Sequence, residues 1–276
     1  MNAFTDAVNE RMLAERDAFF DLRGGGGGVS VSAPKRKARE QKSPDDEVVL
    51  RVGGYGACET YVSVDRACLH GYKIERELAR GGKSTIYCVE PDDATAPCTR
   101  VLKVSQYSDL GAFGNEADIA KRMGVAGIGP RVFENWPCTE EEAQSSAFNE
   151  SRRPLLVGFI VMEYAGQDPV GDVVNTAMKN MESEIIRPEE AEKAVTSAIH
   201  AALEALNKMH ELGYAHNDAH MHNFMLQTDP PRAVIIDFGE SVETNDPIVQ
   251  QQDASVLRSL LNFFMRRIRA YRQSRS

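Results

Sequence analysis

The stretch GYAHNDAHMHNFMLQTDPPRAVIIDFG, residues Gly213 to Gly239, holds the densest set of chemically useful side chains in the chain. Asp218 is followed five residues later by Asn223, and fourteen residues beyond that by Asp237, which closes the β-type run Ala233 to Ile236. Carboxylates and amides are hard oxygen donors of the kind that hold magnesium against a phosphate chain. Moving a phosphoryl group asks little covalent chemistry of a protein. It asks for a carboxylate near the attacking hydroxyl and for reactants held in place. Asp218, Asn223 and Asp237 are suitable residue types in a suitable order.

The segments upstream supply the rest of such a site. Leu78 to Glu90, LARGGKSTIYCVE, reads as strand, glycine turn and strand; Val101-Leu-Lys-Val104 is an apolar strand with one lysine. Glu116 follows on a helical stretch, and Ile160-Val-Met-Glu-Tyr164 is a further strand. An ammonium inside an apolar strand is costly to bury unless anions meet it, so Lys103 is expected to face some. Together with H-x-D-x-x-x-x-N and D-F-G, these segments resemble the protein-kinase-like superfamily from about residue 72 to about residue 265.

The resemblance implies an α+β, two-lobed kinase-like fold, with a small β-rich N-lobe and a truncated, mainly helical C-lobe. It implies ATP and Mg2+ as cofactors. Lys103 would hold the α- and β-phosphates, positioned by Glu116, with Asp109 and Asp118 as the neighbouring acidic alternatives. Asn223 and Asp237 would hold the metal, Asp218 would orient the acceptor hydroxyl, and His220 would stand beside the transferring group. Ala79, Gly81, Gly82 and Ser84 would surround the phosphates, with Ile86 following them. Met162 would be the gatekeeper, and the backbone near Glu163 and Ala165 would receive adenine.

The glycine turn departs from G-x-G-x-x-G: Ala79, Gly81 and Ser84 occupy the three glycine positions and Gly82 is additional. A Walker-type loop is excluded, because its first glycine would fall on Glu77. Asn217 stands in place of the arginine of H-R-D, which removes the guanidinium that receives an activation-loop phosphate. His220 replaces the lysine usual in Ser/Thr protein kinases, as in small-molecule kinases resembling the aminoglycoside and choline kinases. Only 37 residues follow Gly239, and Asp253 opens DASVLRSLL, similar to the short ending of the RIO and KEOPS-complex kinases. Kinases of large DNA viruses offer another likeness. The leading expectation is a Ser/Thr protein kinase; the alternatives are a small-molecule kinase and a nucleotide-binding pseudokinase or scaffold. His216, His220 and His222 with Asp218 also raise a zinc cluster, against which His216 reads as a structural residue packed on Phe238.

Composition narrows the surroundings. Net charge is −9, which argues against a general nucleic-acid binder. The five cysteines form no CxxC and read as free thiols in a reducing compartment. No secretory leader is visible, and no apolar run approaches about 18 residues, so no membrane partner is expected. The expected partners are ATP and a protein substrate, in the cytoplasm or nucleus. Residues 1–46 read as a flexible extension: an amphipathic stretch from Phe4 to Leu22, the glycines 24–28, and a basic cluster at 34–39 that fits an import signal. Residues 47–165 would form the N-lobe, with strands before Gly71 adding a hairpin or cap and a polar insertion over 139–153. Residues 166–276 would form the C-lobe. Its clearest helix is Glu189 to Leu212, with Val195, Ile199, Ala202, Leu203, Leu206 and Met209 on one face. A last helix would start at Asp246-Pro247 and turn Val256, Leu257, Leu260, Leu261, Phe264 and Ile268 inward.

Overall fold

Strand-forming runs of valine, isoleucine and tyrosine dominate the chain up to Glu163, and helical periodicity takes over from Val170. The computed structural model describes residues 47–275 except 56–57, 90–96, 139–142, 146–155, 167 and 229–230, all within the unit Ser43–Ser276. The amphipathic stretch from Phe4 to Leu22, the glycine run, the basic cluster and most of the polar insertion lie outside the described residues.

The central sheet is antiparallel. It comprises β3 (Ile74–Arg80), β4 (Ser84–Val89), β5 (Arg100–Tyr107), β8 (Leu156–Glu163) and β6 (Val132–Cys138), in the order β3-β4-β5-β8-β6. Successive side chains of a strand point to opposite faces. Leu102 and Val104 therefore enter one core while Lys103 enters the other face. A second sheet covers the Leu102 face. It is made of β1 (Glu47–Tyr55), β2 (Cys58–Asp65) and β7 (Ala143–Ser145). Leu50, Val52, Val62 and Val64 from this sheet pack with Leu102, Val104, Phe159 and Val161. The strands before Gly71 thus form a hairpin layered on the central sheet.

Helix α1 (Leu110–Val125) covers the Lys103 face; Asp109 caps it by accepting from the Ala112 N–H at 2.9 Å. Phe113 and Ala117 on α1 meet Tyr107 and Ile160 on the sheet. Gly158 permits this approach, since a Cβ there would lie 2.5 Å from Phe113 Cδ2 and 2.6 Å from Tyr107 Cε2. Gly158→Ala should therefore cost about 1–3 kcal/mol through overpacking and displace α1 together with Glu116. Thermal unfolding checks this, and a melting temperature equal to that of the wild type would contradict it.

The C-terminal region is built on α2 (Val170–Glu182), α3 (Pro188–Glu211) and α4 (Pro247–Gln273), with α3 packed against both others. Val195, Ile199, Ala202, Leu206 and Met209 of α3 are fully buried, and Leu203 is partly buried against the same core. Pro188 opens α3, where a missing N–H costs nothing. Gly213 follows the helix at φ 83°, a conformation glycine adopts without strain. Asp246 caps α4 by accepting from the Ile248 N–H at 2.8 Å. Val256 corrects the expectation for this helix. It is 45% exposed, because its neighbour Leu257 takes the core-facing direction. Two short β-pairs carry the loops between α3 and α4: β9 (Tyr214–Ala215) with β12 (Val242–Glu243), and β10 (Phe224–Thr228) with β11 (Pro231–Ile235). The fold is α+β, with a β-rich N-terminal region and a helical C-terminal region, as a kinase-like fold requires.

The free-thiol expectation fails at four cysteines. Cys68 is bonded to Cys138 and Cys88 to Cys98. Neither pair has a local spacing signal; the sequence separations are 70 and 10, and sheet packing brings the partners together. Cysteine usage therefore no longer argues for a reducing compartment. Among the described residues no helix is long and apolar enough to cross a membrane.

Candidate active site

Lys103 is the hub of the site. β5 places it at 5% exposure among apolar neighbours, where its Nζ contacts Glu116 Oε1 and Asp237 Oδ1, both at 2.6 Å. Glu116, from α1, is equally buried at 4%, whereas the Asp237 side chain is about half exposed at 45%. Asp109 caps α1 and Asp118 lies on its exposed side, so Glu116 is the acid that meets the lysine. Burial pulls the Lys103 ammonium down, but the carboxylates of Asp237 and Glu116 outweigh it and hold the group protonated above its ordinary range. The Lys103 charge in turn holds Asp237 down at about 2, against the opposing effect of burial. One cation facing two anions leaves one negative charge in excess, on the half-exposed Asp237.

Asp218, His220 and Asn223 converge from the segment between β9 and β10. The Asn223 amide Nδ2 donates to the Asp218 carbonyl at 2.8 Å and to Asp218 Oδ2 at 3.1 Å. His220 Nε2 stands 3.5 Å from Asp218 Oδ2. Asp218 is about half buried; burial favours its neutral form, yet the hydrogen bond and charge of His220 leave the carboxyl below its usual value. That same hydrogen bond raises His220 above 6.5 against the desolvation that opposes it.

The three histidines turn to separate partners. The His216 ring is fully buried, its centroid 5.8 Å from that of Phe238. Its Nδ1 accepts from the Asp218 N–H at 3.3 Å, which leaves Nε2 to donate to the Ile236 carbonyl at 3.1 Å. Burial keeps this imidazole neutral. His220 meets Asp218, while His222 faces Asp172 at 3.5 Å.

At the end of the sheet nearest β4, Ile86 and Met162 both pack on the cluster Cys88, Cys98 and Val101. The Glu163 N–H is taken by the Arg131 carbonyl at 2.8 Å, and Ala165 follows the end of β8. Ala79 pairs with Ile86 across the β3–β4 hairpin. The intervening turn is closed by the Gly81 N–H donating to the Ser84 carbonyl at 2.8 Å, so Gly81, Gly82 and Ser84 form one tight bend.

Sequence reasoning missed three supports. Asp253 on α4, 7% exposed, accepts from the backbone N–H groups of His216 at 2.7 Å and Asn217 at 3.0 Å, and lies 2.9 Å from His210 Nε2. It ties the loop between β9 and β10 to α3 and α4; its position was visible in sequence, but its partners were not. Glu240, directly after D-F-G, pairs with Lys83 of the glycine turn at 3.0 Å, and its carbonyl accepts from Asn217 Nδ2 at 3.1 Å. Asn115 Nδ2 donates to the Ser241 carbonyl at 3.0 Å, linking α1 to the same segment. Asn217 and Asp237 both sit in the left-handed region, at φ 61° and 62°. Such strain is sustained by the surrounding bonds and gathers at functional sites.

The donor set suits magnesium. Asn223 spends its Nδ2 on Asp218, leaving Oδ1 as the atom able to ligate; Asp237 gives Oδ1 to Lys103 and retains Oδ2. Both are oxygen donors, and the excess negative charge lies on Asp237.

Residues 155–276 match the family model of the RIO domain. No curated protein matches the chain. The matched region contains Asp218, Asn223, Asp237 and Asp253, while Lys103 and Glu116 lie upstream of it. A RIO domain implies an atypical, ATP-dependent kinase or ATPase-like activity.

Proposed function

We propose that this chain, whose residues 155–276 match the family model of the RIO domain, transfers the γ-phosphoryl group of ATP to serine and threonine hydroxyls of a protein. The observation that carries the reading is the buried Lys103–Glu116 pair joined by the half-exposed Asp237, set beside an Asp218–Asn223 pair. Lys103, kept charged by its two anions, would hold the triphosphate. Glu116 fixes its ammonium from α1. Adenine would rest on Ile86 and Met162, meeting the Glu163 carbonyl and the Ala165 amide. Magnesium, held by Asp237 and Asn223, would neutralise charge building on the phosphates. Asp218, ionised and steadied by the Asn223 amide, would orient the acceptor hydroxyl and take its proton. His220 as imidazolium would sit beside the transferring group as a second cation. Preorganised charge of this kind acts without reorganising during the reaction.

The contact between His220 and Asp218 also favours a second reading, in which the imidazole recognises the hydroxyl of a small metabolite. His220→Lys separates the two. On the protein-kinase reading the lysine variant keeps substantial transfer to casein or myelin basic protein. Wild-type activity falls as pH rises through an imidazole titration above 6.5, since the raised pKa means the cation is lost on the alkaline side. The lysine variant loses that limb. Impaired turnover in the variant, with label only on metabolites, would favour the small-molecule reading.

A further inference from the structure

The β1–β2 hairpin touches the glycine turn itself. Leu50 and Val52 anchor β1 in the core beside Leu102 and Val104. Past them the pairing with β2 shifts register between Arg51 and Gly53, and β1 runs on to the turn. The Gly54 N–H donates to the Gly82 carbonyl at 3.2 Å. Gly53, at φ 138°, lies so close that a Cβ on it would stand 2.5 Å from the Gly82 carbonyl oxygen and 3.1 Å from the Lys83 carbonyl carbon. These are backbone atoms, which cannot swing aside as a flexible side chain does. On another side, the Lys83 carbonyl accepts from the Gln106 N–H of β5 at 3.2 Å.

The hairpin is fastened on both sides of this contact. The Tyr87 hydroxyl on β4 donates to the Arg51 carbonyl at 2.9 Å and accepts from the Arg51 N–H at 3.0 Å. Arg51 also pairs with Glu77 on β3 at 3.2 Å. The hairpin is therefore bound to the two strands that lead into and out of the turn, and to the turn's own backbone.

We infer that this hairpin is a clamp that presets the phosphate-binding turn, with Gly53 as its positioning residue. The inference rests on the nucleotide reading above and adds to it how the bend at Gly81–Ser84, short of the usual three glycines, is held for phosphate. A turn free in solution loses backbone freedom when it closes on a ligand; one already held loses less, and binding is tighter. The benefit falls on the phosphates, because adenosine alone does not reach the turn.

Titration calorimetry of the full chain with Mg·ATP and with adenosine tests it. Gly53→Ala should weaken ATP binding by about tenfold or more and leave adenosine affinity within about twofold, because only the turn is displaced. Tyr87→Phe removes the hydroxyl that fastens Arg51 without crowding the turn. It should shift ATP affinity in the same direction by a smaller factor, and it decides the matter if Gly53→Ala does not fold. Unchanged ATP affinity in both folded variants, or equal losses for ATP and adenosine, would overturn the clamp. Failure of the wild type to bind ATP would instead overturn the nucleotide reading on which the clamp depends.

Discussion

Asp237→Ala should reduce phosphoryl transfer by at least about a hundredfold, the scale on which a single preorganised charge contributes to a transition state, while the protein stays folded. The fold should survive because Asp237 is about half exposed and because Lys103 keeps Glu116 as a buried partner once Asp237 is gone. Lys103→Met makes a useful contrast. It leaves the Glu116 carboxylate buried without its ammonium, a change on the order of 3–5 kcal/mol, so lost activity there is mixed with lost stability. Thermal unfolding beside a transfer assay separates the two variants. Neither the lysine nor the aspartate should titrate between pH 5 and 9, since one is held protonated and the other is held at about 2. Full transfer by folded Asp237→Ala would remove this residue from the chemistry.

Asp253→Ala should cost about 3 kcal/mol or more, because a buried charge that accepts two backbone N–H groups is lost and both donors are left without it. The loss should spread to activity, as the backbone of His216 and Asn217 carries Asp218. Asp253→Asn keeps one carbonyl oxygen for one of the two donors, and should recover part of the stability. Chemical denaturation measures the order wild type, Asn, Ala; an alanine variant as stable as the wild type would contradict the anchoring role.

The elements with strong local patterns were legible in the sequence. Helix α3 repeats its apolar residues at helical spacing and ends before Gly213, while Asp246-Pro247 announces α4. Lys103 was legible for a different reason, since a lysine in an apolar strand demands anions; Glu116 as one of them came from the kinase resemblance. What stayed hidden depends on contacts between distant segments. Cys68 and Cys138 meet only once the 3-10 turn after β2 packs by β6, and no spacing encodes that. Asp253 could be placed on a helix, but the loop amides it receives come from Asn217 and His216, 36 and 37 residues away. The reason for Gly53 is the Gly82 carbonyl opposite it, a contact between segments that lie far apart in the chain. Val256 was misread because an apolar residue beside Leu257 can face only one way at a time.

Incubation of the full chain with γ-labelled ATP, magnesium and a panel of proteins and hydroxylated metabolites, followed by phosphoamino-acid analysis, addresses the proposed activity at its source. Label on serine or threonine of protein, absent when Asp237→Ala replaces the wild type, is the predicted result. Protein left unlabelled while a metabolite takes up the phosphate, or label that persists undiminished in the alanine variant, would contradict it.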